Sequence, residues 1–201
     1  MTALVQEMVE KSIESVLHLD VELANNTVAG DRRINEEEVH IERQAIDLLA
    51  LYQPAAVDLR MITMIIKANG DFERVADCAV NIAQRVPMLA KMGDYIVSPD
   101  LKLMANTVVK TLRDTTHAFN LNDIEQAKAV LKSDDVIDAL YHQIITDSLG
   151  GLEGERMANR DLSTIMMAKN LERIGDHCVN ISEDIVYVRS GRIIRHANST
   201  V

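Results

Sequence analysis

Residues 72–82 read FERVADCAVNI, and residues 171–181 read LERIGDHCVNI. The two stretches lie 99 residues apart, about half of a 201-residue chain. Glu, Arg, Asp, Val, Asn and Ile recur in register, and three further pairs are conservative exchanges. Agreement at one fixed offset reads as duplication, which sets the architecture before any local reading does. Around the first stretch Met61, Ile65, Ala68, Phe72, Val75, Ala79, Ile82 and Val86 are spaced alternately by four and three residues. Met167, Leu171, Ile174, Cys178, Ile181, Ile185 and Val188 repeat the spacing around the second. Such a heptad seam belongs to a long helix that buries one stripe against its neighbours. Pro54 is expected to open the first of these helices and Pro87 to close it. The second is expected to follow the glycines at 150, 151 and 154, starting near Arg160 and ending at Ser190-Gly191.

A helix with one apolar stripe needs partners, and each copy has room for two more helices upstream. In the second copy these run from about Leu101 to Phe119 and from about Asp123 to Leu149, with Asp123 and Gln126 resembling a capping box. In the first copy they run from about Thr2 to Leu17 and from Val21 to Leu51. There Asn25, Asn26 and Gly30 read equally as a turn, and periodicity alone leaves both readings open. The expected fold is all-α: two tandem antiparallel three-helix bundles related by an internal repeat. The first occupies residues 1–88, a linker with Gly93 and Pro99 covers 89–99, the second occupies 100–190, and a polar flexible tail covers 191–201.

Composition supports this. Hydrophobic residues are 47% of the chain, enough for a sizeable core, while aromatics are only 3% and Trp is absent. Strands favour aromatic and β-branched residues, so the balance is helical. The formal charge of −10 repels phosphate backbones and attracts cations, which argues against nucleic acid as a partner. Two cysteines, Cys78 and Cys178, are too few for a disulfide framework and point to a reducing, cytoplasmic setting. The N-terminus MTALVQEMVEKS lacks the form of a signal peptide, and the longest apolar run, Met61 to Ile66, is broken by Thr63. No nucleophile elbow, Walker A loop or dinucleotide fingerprint occurs, so no enzyme class is indicated.

With Phe72 and Val75 on the seam, Glu73, Asp77 and Asn81 face away from the core, as do Glu172, Asp176 and Asn180. Four-residue spacing stacks each Glu over its Asp, at a cost of roughly 0.2–0.5 kcal/mol unless something neutralises the pair. Charges at such positions are commonly a solvated face and nothing more. Their return in register is what argues for a cation. Carboxylates with an amide oxygen suit hard ions such as Mg²⁺ or Mn²⁺, and ferric iron and zinc also accept them. Asp134 and Asp138 form a second four-spaced acidic pair on the preceding helix, matched in the first copy by Asp31 and Asn35. The alternative is a carboxylate-rich metal-storage or di-iron bundle. Its half-motif appears once, as Glu37 and His40, with Asp114 and His117 the nearest second. Cys78 and Cys178 read as small apolar packing groups.

LERIGDHCVNISEDIVY at 171–187 resembles the C-terminal signature of the PhoU family of phosphate-uptake regulators. QPAAVDLRMI at 53–62 with FERVAD resembles its N-terminal counterpart, and LDVELANN at 19–26 and the acidic pair at 134–138 are also similar. The resemblance spans roughly residues 5–190. It implies a second helix that continues through Asn25 and Gly30. It implies metal ligands at Glu172, Asp176, Asp134, Asp138, Glu73, Asp77 and Asp31, with Fe, Zn, Mn or Mg bound as ions or multinuclear clusters. It further implies a negative regulator linking the ATPase of a phosphate ABC transporter to a sensor histidine kinase, commonly as a homodimer. Two departures stand out: Asn35 replaces an expected acid, and the first helix begins later than is usual in the family.

Overall fold

The computed structural model describes residues 1–150 and 155–191, with backbone alone for 155–158. Among these residues seven helices and no strand are formed: α1 (Thr2–His18), α2 (Val21–Tyr52), α3 (Ala56–Ala83), α4 (Val86–Met92), α5 (Pro99–Leu121), α6 (Ile124–Gly150) and α7 (Glu155–Ser190). Helices α1, α2 and α3 make one antiparallel bundle, and α5, α6 and α7 make the other. The short joints follow from local chemistry. Leu19 takes a left-handed conformation (φ 52°) and ends α1, while the Asp20 side chain accepts from the Leu23 N–H and caps α2. The second copy repeats the device. Asn122 is left-handed (φ 51°), and Asp123 accepts from the amides of Glu125 and Gln126. Each cap satisfies amides that a helix start leaves without partners.

Helix α2 runs unbroken through Asn25, Asn26 and Gly30, as the family resemblance implied. Gly30 faces α1, where an added Cβ would lie 3.4 Å from Met8 Cε. Three boundaries differ from expectation. Pro87 does not close α3, which ends at Ala83; it sits in the first turn of α4, whose fixed proline φ suits a helix start. The expected linker is therefore helical to Met92, and Ser98 caps α5 with Pro99 as its first residue. Helix α7 starts at Glu155, not near Arg160. The glycines at 151 and 154 and the tail from Arg192 lie outside the described residues.

The seam residues are the core. Phe72, Val75, Ala79, Ile82, Leu171, Ile174, Cys178, Ile181 and Ile185 are all buried. The chain's two phenylalanines meet edge to face across the bundles, Phe72 on α3 and Phe119 on α5, with ring centroids 5.4 Å apart. Helices α3 and α7 cross antiparallel and join the bundles. Lys67 Nζ lies 3.3 Å from Asp184, Asp71 lies 2.8 Å from His177 Nδ1, and Arg60 Nε donates to the Val188 carbonyl. A salt bridge of Arg113 to Glu10 at 2.7 Å ties α5 to α1.

The duplication is not uniform. On α2 the residues Ala24, Thr27 and Ile34 are buried where Ala127, Val130 and Ile137 are buried on α6, an offset of 103 residues. For α3 and α7 the offset is 99, so the α2–α3 hairpin is about one helical turn longer.

Truncating Phe72 to Ala removes the aromatic contact and leaves a cavity, and is expected to cost about 3–5 kcal/mol in urea unfolding. Gly70 lies inside α3, and an added Cβ meets nothing within 4 Å. Gly70→Ala is expected to raise stability by up to about 1 kcal/mol, measured in the same experiment.

Candidate metal centre

The seam fixes where the acids go. With Leu171 and Ile174 turned into the core, Glu172 and Asp176 fall on the side of α7 that meets α6. Gly175 between them is what lets α6 come close. A Cβ there would stand 3.1 Å from Ile137 Cδ1 and 3.5 Å from Asp134 Oδ1. The α6–α7 groove thus collects Asp134, Asp138, Glu172 and Asp176. Burial, then the charges of Asp138, Asp176, Asp135 and Glu172, push the Asp134 carboxyl up to about 6. Asp176 is raised by burial and by Glu172, against the opposing pull of Lys169. A half-buried carboxylate held above its ordinary range by burial and by like charges is one that a bound cation would relieve.

The first copy repeats this more loosely. Burial raises Glu73 first, then the charge of Asp77, with Glu38 and Asp31 adding smaller effects and Arg74 opposing. Asp31 Oδ2 accepts from Asn35 Nδ2 at 3.0 Å, while its Oδ1 is buried without a hydrogen-bond partner. Asp31, Glu73 and Asp77 therefore lie along one α2–α3 groove, with Asn35 tied to Asp31. Glu38 joins them and was not singled out from sequence. The longer hairpin gives it no acidic counterpart in the second copy, where the equivalent position is Tyr141. Asn69 Nδ2 donates to the Glu38 carbonyl at 2.8 Å and holds that turn of α2 against α3.

The two asparagines part company with the acids. Asn81 is exposed on α3. Asn180 donates to Asp71 Oδ1 at 3.4 Å and, with His177, belongs to the contact between bundles. Local cations already lean on the acids. Lys169 Nζ sits 2.8 Å from both oxygens of Glu172, and Arg74 lies 3.5 Å from Glu73 and 3.4 Å from Asp77. Burial pushes Cys78 up to about 11 and Cys178 up to about 12, so both are protonated packing groups. Asp114 is engaged by Lys110 at 2.7 Å.

Among the described residues no three His, Cys, Asp or Glu side chains stand close enough to make a ready-formed ligand cage. The acids share an electrostatic field without sharing a coordination geometry. Their donor chemistry nonetheless fits a hard cation: oxygen donors only, two helices converging, and a buried carboxylate oxygen on Asp31 with nothing to accept. Such an ion would neutralise the groove and take over the roles of Lys169 and Arg74.

Comparison with known proteins places the fold and the family. A family model described as "PhoU domain" matches residues 1–86 and 101–185. A protein from Aquifex aeolicus named "Phosphate-specific transport system accessory protein PhoU homolog" is 38% identical over 197 residues, covering 98% of this chain and 89% of the relative. A namesake from Zymomonas mobilis is 33% identical, covering 96% and 81%. The crystal structure of the phosphate transport system regulatory protein PhoU from Streptococcus pneumoniae superposes with a TM-score of 0.89 at 27% identity, over 96% of this chain and 91% of that one. That of PhoU from Pseudomonas aeruginosa gives 0.90 at 31% identity, over 96% and 93%.

The raised Asp134 has a stability consequence of definite sign. Its folded value of about 6 lies above the ordinary 3.8, so the folded state holds the proton more tightly. This group therefore destabilises the metal-free protein above about pH 6, and the penalty disappears as pH falls below the unfolded value. Asp134→Asn is expected to raise the urea midpoint at pH 7 and leave it nearly unchanged at pH 3.5. Millimolar Mn²⁺ at pH 7 is expected to stabilise the wild type more than the variant.

Proposed function

The chain belongs to the PhoU family, and we propose that it is a negative regulator of phosphate uptake and of the phosphate-starvation response. It acts by binding, as a metal-dependent adaptor between the ATPase of a phosphate ABC transporter and a sensor histidine kinase, and turns over no substrate. The relatives' names supply the phosphate transport system as the setting. The observation that carries the metal dependence is the pair of carboxylate grooves, one per hairpin; in the second, burial and then the charges of its acidic neighbours push Asp134 up to about 6. Among the described residues no helix is long and apolar enough to cross a membrane, which fits a cytoplasmic protein that reaches the membrane through partners.

Glu73, Asp77 and Asp31 would hold an ion in the first groove, and Glu172, Asp176, Asp134 and Asp138 in the second. Fe, Zn, Mn and Mg are the candidates on donor chemistry. The ion supplies positive charge that cancels the repulsion and fastens the two helices of a hairpin together. Adjacent residues then form a fixed surface for a second copy of the chain or for the partners. The surface position of the acids supports an adaptor over a metal-storage or di-iron protein, whose ligands project into the middle of a bundle.

Metal analysis of purified protein, with pull-downs from a native membrane fraction, tests this reading. Wild-type protein is expected to carry stoichiometric metal and to retain both transporter ATPase and kinase. Asp77→Ala with Asp176→Ala is expected to lose most of the metal and at least tenfold of the captured partner. Unchanged metal and unchanged capture in the double variant would contradict the proposal.

A further inference from the structure

Apolar side chains stand exposed at the joint of α2 and α3. Leu51 is 76% and Tyr52 73% exposed, and Ile46, Leu48, Val57 and Leu59 are exposed beside them. Met8 of α1 faces Gly30 of α2, so α1 begins opposite about residue 36. Among the described residues no third helix covers the turns of α2 beyond that point. A cluster of large apolar side chains left in water marks a surface that another segment covers.

The end of α7 is brought to this place. Arg60, one turn into α3 from Val57, donates from Nε to the Val188 carbonyl at 3.1 Å and fastens the last turn of α7 beside the first turn of α3. Gly191 then takes a left-handed conformation (φ 66°), with its N–H donating to the Tyr187 carbonyl at 2.8 Å. That geometry ends the helix and turns the chain aside. Residues 192–201, RIIRHANSTV, follow and lie outside the described residues. Ten residues span up to roughly 33 Å, and the exposed patch begins one turn of α3 from the Arg60 contact, so it is within their reach.

We propose that residues 192–201 dock on the α2–α3 joint of the same chain and cover its apolar side chains. The chemistry of the two stretches is complementary. Residues 44–59 contain two acids, Asp47 and Asp58, and no basic residue, and both acids are exposed. Residues 192–201 contain two arginines, Arg192 and Arg195, and no acid. Between the arginines stand Ile193 and Ile194, the apolar area that Leu51, Tyr52 and Val57 lack as a partner. Covalent attachment makes the docking intramolecular, at an effective concentration of about millimolar, so a shallow patch suffices to hold the segment. The same attachment favours the chain's own segment over that of a second copy.

The chain has no Trp, so Ile194→Trp in the full chain supplies a single fluorophore. Its emission is expected to be blue-shifted, and its quenching by acrylamide several-fold weaker, than in the same protein carrying Leu51→Ser and Val57→Ser as well. Both of those sites are exposed, and circular dichroism checks that the helices are retained. Arg192→Glu with Arg195→Glu, which leaves the joint itself intact, is expected to release the fluorophore to the same degree. Protection is expected to be independent of protein concentration. A tryptophan quenched as freely as in urea, protection that survives either pair of substitutions, or protection lost on dilution because a second copy supplies the segment, overturns the proposal. None of the groove acids is altered, so the outcome is independent of the adaptor reading.

Discussion

Two carboxylates stacked one turn apart on a helix repel, and the repulsion grows when a second helix closes over them and removes water. This protein builds that unfavourable arrangement twice. The heptad seam leaves no choice: once Phe72 and Val75, or Leu171 and Ile174, are committed to the core, the acids beside them must face the neighbouring helix of the hairpin. Gly175 tightens the second groove, and the close approach of Ile137 carries Asp134 in with it. The free energy gained by burying the seam holds the acids together, and a cation is the simplest group that turns the resulting field to use.

The same helices also form the joint between the bundles. Helix α3 carries Glu73 and Asp77 toward α2, and Asp71 and Lys67 toward α7. Helix α7 carries Glu172 and Asp176 toward α6, and His177, Asn180 and Asp184 toward α3. Each acid is thus within a turn or two of an inter-bundle contact. An ion that fastens one hairpin acts on residues whose neighbours set how the two bundles meet, which gives a metal-dependent adaptor a short physical route from ion to surface.

Much of this was legible in the sequence, for a physical reason. The seam helices are buried along their length, so their periodicity is strong and their outward residues are fixed by subtraction. Helix α2 was not legible, because few of its residues are fully buried, Ala24, Thr27, Ile34 and Ala45 among them, and its polar Asn25, Asn26 and Gly30 imitate a turn. The start of α7 was set late because the glycines at 150, 151 and 154 read as a loop reaching toward Arg160, whereas the helix begins directly after them at Glu155. Glu38 was missed because the hairpins differ by one turn and the repeat offers no acidic counterpart. The Asp71–His177 contact joins residues 106 apart, and no local pattern announces such a pair.

The central claim concerns where positive charge settles, and anomalous diffraction locates it most directly. Crystals grown with Mn²⁺ and measured at the manganese edge are predicted to show density in the α6–α7 groove within bonding reach of Asp134, Asp138, Glu172 or Asp176, with a weaker peak in the α2–α3 groove near Glu73 and Asp31. Grooves without anomalous density, in which Lys169 and Arg74 keep their contacts to the acids, would contradict the account.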